Sequence, residues 1–322
     1  MRVLQLTSDW KWTGPAEPML RLAQALRERG HPVWLACPPP PAGADRSLLA
    51  HARKLDLEPA LRLSRGRGLR PWRDRQDVRV LRGLMEREAI EVVHAWHTRD
   101  HLLALRAARG RRRAGASCLV RSWRKAELPP ATPWSRWLFG PGCDGLLGVS
   151  PGTAERLRGL RGGRPVEGAF GAVDLERFSP EPASPGLRAA LGLAPEDRVV
   201  GIVARVQPHR RFDLLLEAFA RLLRQEPRAR LLVVGRGTRR RELAEEPARR
   251  MGLAERVVFA GYRREDYAGV LRQIDVFTFL VPGSDGTCRA LLEAAACGIP
   301  AVTTRRGALA EIVQDGVTGI LC

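Results

Sequence analysis

Two arginines, two carboxylates and one helix start have the types and spacing to hold a ligand that carries phosphate and many hydroxyls. Residues 281–310 read VPGSDGTCRALLEAAACGIPAVTTRRGALA. A turn over 282–286 leads into an apolar helix over 287–297. Gly298 suits the left-handed stop after it, and Pro300 bars continuation. Such a loop-to-helix join presents unpaired backbone N–H groups and the positive end of a helix dipole, which suits phosphate. Asp285 stands at the helix start and Glu293 about two turns further in, so both can edge one pocket. Ionised carboxylates only accept hydrogen bonds, and sugar hydroxyls donate them. The plainer alternative is an N-capping aspartate and a solvated helix glutamate. Upstream, Arg205 and Arg210 lie between an apolar run at 199–204 and an amphipathic helix over 214–224. Two permanent cations at a strand end can neutralise a diphosphate, and guanidinium can do so with two parallel hydrogen bonds. The alternative here is two more arginines in an arginine-rich chain.

The first half offers a second group. His94, Trp96 and His97 close a buried strand over 91–96, and Arg121, Trp123, Arg124 and Lys125 close another over 117–122. Ligands of open α/β sheets collect at the carboxyl ends of strands, so these side chains are placed to meet an acceptor, with Arg121 suited to an anionic one. A lone histidine is otherwise a structural residue. The stretch SRGRGLRPWRD at 64–74, with Trp72, reads either as a grip on anionic lipid or acceptor, or as a solvated loop leading into a helix over 78–88. Trp134, Trp137, Leu138 and Phe139 read as core in preference to a membrane wedge.

The elements that must position these residues alternate strand and helix along the whole chain, which argues for doubly wound parallel sheets. At 322 residues there is chain enough for two domains. The opening unit is strand, loop with Gly14, helix and strand, without G-x-G-x-x-G, so a nicotinamide cofactor is not expected. The formal charge of +19 is almost wholly arginine, the only lysines being Lys11, Lys54 and Lys125. No zinc spacing or RNA-binding signature accompanies it, so the expected partner of the basic surface is an anionic membrane and not a specific nucleic acid. Six cysteines without C-x2-C pairing read as mostly buried free thiols of a reducing cytoplasm. The first residues run straight into a strand with no signal peptide, and no apolar run reaches the length of a membrane span. The expected location is therefore cytoplasmic, or peripheral at the inner face of the cell membrane.

The segment S-D-G-T-C-R-A-L-L-E-A-A-A-C-G-I-P-A-V resembles the Glu-x7-Glu region of retaining glycosyltransferases of family GT4, roughly S-E-G-F-G-L-x-x-L-E-A-x-A-x-G-x-P-V-V, with Asp285 for the first glutamate and Thr-Cys-Arg for Phe-Gly-Leu. Residues 205–213 resemble G-R-x-x-x-x-K-G-x-D, with Arg210 in the lysine's place. Residues 171–180 resemble N-G-V-D-x-x-x-F-x-P, and the opening loop resembles G-G-x-E, with Thr13 for the first glycine. The resemblance implies a GT-B fold: two Rossmann-like domains, 1–172 on the acceptor side and 187–322 for the nucleotide-sugar, joined by a linker at 173–186 and facing a central cleft. It implies transfer of a sugar from a nucleotide-diphosphate sugar to an acceptor hydroxyl with anomeric configuration retained. The acceptor would be lipid-linked or a glycan, such as a cell-envelope or lipopolysaccharide precursor. Arg205, Arg210, Asp285 and Glu293 would be catalytic. Gly14, Gly237, Tyr262, Arg263, Gly286, Thr287, Cys288 and Arg289 would line the donor, and His94, His97 and Arg121 the acceptor. The leaving phosphate can take the acceptor's proton, and no convincing Asp-x-Asp ends a strand, so neither a cofactor nor a metal is expected. Asp285 for Glu suggests a differently seated or different sugar. The family pattern continues past residue 322 with helices that pack back on the first domain. The rival is a weak or inactive sugar-nucleotide-binding or membrane-scaffold protein of the same fold.

Overall fold

Strands buried on both faces need no polar alternation, and the short apolar runs of this chain become parallel strands for that reason. The clearest is Val3–Leu6, all of whose residues are buried. The structure, a computed structural model, describes residues 1–322 except 13–15, 45–46, 67–70, 126, 161–162 and 283–287. It divides into two units, Met1–Phe170 and Gly171–Cys322.

Unit 1 contains strands β1 (Val3–Leu6), β2 (Val33–Cys37), β3 (Pro59–Arg62), β4 (Val92–Ala95), β5 (Cys118–Trp123), β6 (Gly145–Gly148) and β7 (Val166–Gly168). Its helices are α1 (Ala16–Glu28), α2 (Leu48–Arg53), α3 (Pro71–Arg87), α4 (Thr98–Ala107), α5 (Arg109–Arg113), α6 (Pro133–Phe139) and α7 (Pro151–Arg158). The sheet order is β3-β2-β1-β4-β5-β6-β7, every described pair parallel. The order reverses direction between β1 and β4, where Leu6 sits beside Ala95.

Unit 2 contains β8 (Arg198–Val203), β9 (Ala229–Val234), β10 (Val257–Gly261), β11 (Val276–Phe279), β12 (Ala301–Thr303) and β13 (Gly319–Leu321). Helices α8 (Pro185–Ala190), α9 (Phe212–Leu222), α10 (Glu246–Arg250), α11 (Tyr267–Leu271), α12 (Arg289–Ala296) and α13 (Leu309–Ile312) accompany them. The order β10-β9-β8-β11-β12-β13 reverses between β8 and β11. Its core includes the fully buried Phe277 with Leu216, Phe219 and Leu291.

Three expectations are corrected. The helix expected from residue 78 begins at Pro71, because Asp74 and Asp77 are needed inside. The side chain of Arg99, at the start of α4, is only 2 % exposed and bonds both carboxylates at 2.7 Å, with Ser64 O at 3.0 Å. The amphipathic helix of unit 2 is Phe212–Leu222, two residues earlier than expected, because Arg211 takes a left-handed conformation (φ 56°) and starts it. Trp134 and Trp137 are not core. Leu138 and Phe139 pack inward, while the tryptophans, three apart on the other side of α6, are 55 % and 44 % exposed. Of the cysteines, Cys37, Cys143, Cys288 and Cys297 are buried, Cys118 is half-buried and Cys322 is exposed.

Candidate functional site

In unit 2 the chain leaves β8 toward β9 on one side, while β11 leads to β12 on the other. Diverging connections open a crevice at the carboxyl ends of the two middle strands, the usual ligand position in open α/β sheets. Arg210 spans that point. It lies in a short 3-10 turn after β8, donates from Nη1 to Val281 O at 2.8 Å just after β11, and stacks its guanidinium 4.9 Å from the centroid of Phe279. Arg205 is exposed two residues beyond β8.

The neighbouring exit, from β9, is pressed against this loop. Val206 N donates to Arg236 O at 3.1 Å. A Cβ on Gly237 would stand 2.3 Å from Val206 O, and one on Gly235 (φ 144°) 2.1 Å from Ala204 O. The missing side chain of Gly237 thus lets its loop approach the one that carries Arg205. After β10, Tyr262 is 51 % exposed with the Arg236 guanidinium 5.1 Å from its ring centroid. Arg263 turns back on its own segment, bonding Ala260 O and Asp266 Oδ2 at 2.9 and 2.8 Å.

The helix after β11 behaves differently from a solvated helix. Cys288, buried and left-handed (φ 49°), precedes its first residue, Arg289. Glu293 is 5 % exposed, so the solvated-glutamate alternative fails. Its Oε2 accepts a 2.7 Å hydrogen bond from Tyr267 Oη, and its Oε1 lies 3.2 Å from Arg289 Nε. Burial, and then the Glu293 charge, raise the Tyr267 hydroxyl well above its ordinary pKa, so it stays protonated and donating. Sequence reasoning missed Tyr267; only its place in the fold brings it to Glu293. Gly14, Asp285, Gly286 and Thr287 lie outside the described residues.

In unit 1 the switch point gathers the residues after β1, β4 and β5. His97 Nδ1 is 3.0 Å from Asp100 Oδ2 and 3.3 Å from Thr7 Oγ1, and its backbone N donates to Asp100 Oδ2 at 2.7 Å. Burial would raise Asp100, but the His97 hydrogen bond and charge, with Ser8 and Arg121, hold it below the usual carboxylate range. A shallow recess beside it is lined by Thr7, Asp9, Lys11, Trp96 and His97. Thr7, Asp9 and Lys11 were not singled out from sequence as site residues, although Thr7 directly follows the first strand and the other two lie on the segment after it. His94 points away from this edge into the protein. It is buried, bonds Ser122 Oγ at 2.8 Å, and is pushed down to about 3 by burial and the charges of Arg121 and Arg124, so it is a neutral support for Trp96, 4.6 Å away. Arg121 is 5 % exposed, and its Nε and Nη1 have no hydrogen-bond partner among the described residues. Burial pushes it down to about 10, with Asp100 opposing, so it remains a cation.

Two parallel α/β units, each with a crevice at its switch point, define the GT-B class. Solved structures share that fold. The glycosyltransferase from Rickettsia africae superposes with a TM-score of 0.82 at 14% identity, over 99% of this chain and 83% of that one. Anabaena Alr3699/HepE, solved with UDP and glucose, gives 0.75 at 19% identity, over 100% and 85%. The model of Glycosyltransferase Family 4 matches residues 14–177, and that of Glycosyl transferases group 1 matches 197–322. The chain belongs to Glycosyltransferase Family 4. Among its relatives, the D-inositol 3-phosphate glycosyltransferase of Mycobacterium marinum is 31% identical over 244 residues, 73% of this chain and 48% of the relative. The protein of that name from Mycobacterium sp. (strain KMS) is 38% identical over 177 residues, 52% of this chain and 38% of the relative. The matched stretches span less than half the length of these relatives.

Proposed function

We propose that the chain moves a sugar from a nucleoside-diphosphate sugar to a hydroxyl of an anionic acceptor, with retention of configuration. The observation that carries this reading is Arg210 bridging β8 and β11 at the switch point of unit 2, with Arg205 on the same loop. Both guanidinium groups stabilise charge as it develops on the leaving diphosphate, an effect that dominates such catalysis when the donors are pre-aimed. Glu293, held by Tyr267 and Arg289, is the acceptor for ribose hydroxyls in this reading. Tyr262 with Arg236 offers a stacking face to the base.

The acceptor side of the reading rests on unit 1. Arg121 supplies a desolvated cation for a phosphate or similar group. His97, whose Nδ1 is held by Asp100, would meet the incoming hydroxyl through Nε2. Relatives named for D-inositol 3-phosphate support a phosphate-bearing polyol as the acceptor class, and a solved neighbour that is a lipopolysaccharide outer core galactosyltransferase supports a cell-envelope glycan or lipid. The structure of HepE with UDP and glucose supports a UDP-sugar among the donors to test first. The reaction needs no metal, since the arginines supply the positive charge.

The test is a thermal-shift panel of UDP-, GDP-, ADP- and dTDP-sugars, followed by mass spectrometry of products with inositol phosphates and lipid-linked acceptors. A ligand held at a hundred times its Kd stabilises the fold by about 2.7 kcal/mol. The expected result is a shift with one nucleotide series, absent in Arg205→Ala and Arg210→Ala, and a glycosylated product. No shift with any nucleotide, or an unchanged one in both variants, overturns the reading. A shift without product from any acceptor leaves the binding-protein alternative in its place.

A further inference from the structure

Charge is unevenly shared between the two units. Residues 1–170 hold 31 Lys and Arg against 16 Asp and Glu, a formal +15 of the total +19. Within that unit one short helix, α6, carries two exposed tryptophans three residues apart. α6 is started by Thr132, whose Oγ1 accepts from Ser135 N at 3.1 Å, and by Pro133 at its first position. It buries Leu138 and Phe139 against Trp123, Leu146 and Leu157. The register that buries them turns Trp134 and Trp137 outward, where they stack with ring centroids 5.2 Å apart. Leu128, on the segment leading into the helix, is 38 % exposed.

Cations frame this surface. Arg136 is exposed between the two tryptophans, and Lys125 is exposed on the segment before them with one carboxylate, Glu127, two residues on. At the far end of α6, Arg112 donates to Pro141 O, bringing the arginine run of α5 there, with Arg113 exposed. The acidic residue at that end, Asp144, is neutralised by Arg112 at 2.6 Å. Stacked indoles with a polar edge, set among cations, match the depth profile of a bilayer interface. The rings enter the headgroup boundary while guanidinium and ammonium groups meet lipid phosphates. A protein partner that covered the tryptophans would have to supply acidic groups on both flanks; an anionic leaflet supplies them everywhere.

We propose that α6 and its flanks are a membrane-docking surface, and that the occupant is the interface of an anionic lipid bilayer. This rests on exposure and charge, and not on the transferase reading. The helix docks without spanning. No described helix is long and apolar enough to cross a membrane.

The test is co-sedimentation of the whole chain with vesicles of phosphatidylcholine alone and of phosphatidylcholine mixed with phosphatidylglycerol, at several salt concentrations. Quenching of tryptophan emission by spin-labelled lipid is read in parallel. Binding is expected only with the anionic vesicles and falls as salt rises. It weakens roughly tenfold or more in Trp134→Ser/Trp137→Ser, with loss of quenching, because that pair removes the buried apolar area. Arg136→Glu weakens it by a smaller factor. Melting temperatures of the variants stay near the parent's, since the altered side chains face solvent. Equal binding of the double variant and the parent overturns the proposal. So does self-association of the parent that disappears in the double variant without any vesicle binding, which would assign the surface to a second copy. These outcomes do not depend on whether any nucleotide binds.

Discussion

Tyr267 Oη donates a 2.7 Å hydrogen bond to Glu293 Oε2, joining the first residue of α11 to the middle of α12 across 26 positions of sequence. A buried carboxylate is costly unless its oxygens are matched, and this one is met by a phenol on one oxygen and a guanidinium near the other. The pair therefore fixes the side chain on which the donor-site reading leans. Tyr267→Phe should cost about 1–2 kcal/mol of stability. It should also weaken nucleotide binding several-fold by loosening Glu293, and Glu293→Gln should weaken it further. Chemical denaturation and titration calorimetry with the best nucleotide check both. Unchanged affinity in Tyr267→Phe would show that Glu293 needs no such support. Because the hydroxyl is raised above its ordinary value, its contribution is complete below about pH 10 and is lost only as pH climbs through the raised value.

The loop carrying Arg205 is set by glycine. Gly235→Ala places a Cβ 2.1 Å from Ala204 O at a φ that side chains rarely adopt, with backbone and not a flexible side chain in the way. The β9 exit must move and Arg205's loop with it. The expected result is a loss of roughly 1–3 kcal/mol in stability and nucleotide affinity at least as weak as in Arg205→Ala. A variant with parental affinity would separate this packing from the site.

Arg99 with Asp74 and Asp77 is a buried ion cluster that ties α3 to α4, and α4 begins at the His97–Asp100 pair. Removing the cation leaves two carboxylates in a dry site, so Arg99→Ala should lose about 3–5 kcal/mol. Arg99→Lys should recover only part, because one ammonium cannot reproduce the forked contacts. Urea unfolding midpoints decide it. A loss within the range of an ordinary surface mutation contradicts the burial.

Acid sensitivity follows from two histidines in unit 1. His94 is pushed down to about 3, and His101 to about 4, by burial first, against an ordinary value of 6.5. Both are neutral when folded and take up protons when unfolded, so the unfolded state binds more protons between the two values. Stability is full above pH 6.5 and falls as pH drops from there toward 4, with a limiting slope on the order of 1.4 kcal/mol per pH unit for each ring. Asp100 and Asp144 add to the loss only below the ordinary carboxylate range, because their folded values are depressed. Denaturation midpoints should hold from pH 7.5 to about 6.5 and then fall down to pH 4.5, and His101→Gln should flatten the profile. A flat profile in the parent would mean that these rings are hydrated.

The sequence by itself determined the strand and helix alternation, the two parallel units, and the family. Those depend on local composition and on motifs read along the chain: apolar runs, a glycine stop with a following proline, arginines at a fixed distance from a helix. Arg205, Arg210 and Glu293 were singled out as candidates in the same way, as residue types at particular spacings. Tertiary structure decided what these side chains touch. Whether Glu293 is solvated or buried depends on α11, and no pattern within α12 carries that information. Gly237 was singled out for ligand contact, while its close neighbour is Val206 on an adjacent loop. The outward turn of Trp134 and Trp137 could not be read either, because Trp-Ser-Arg-Trp-Leu-Phe is apolar around most of a short helix, and only packing against Trp123, Leu146 and Leu157 selects the face that goes in. Periodicity and spacing are properties of one segment; burial, pairing and exposure belong to the segments it meets.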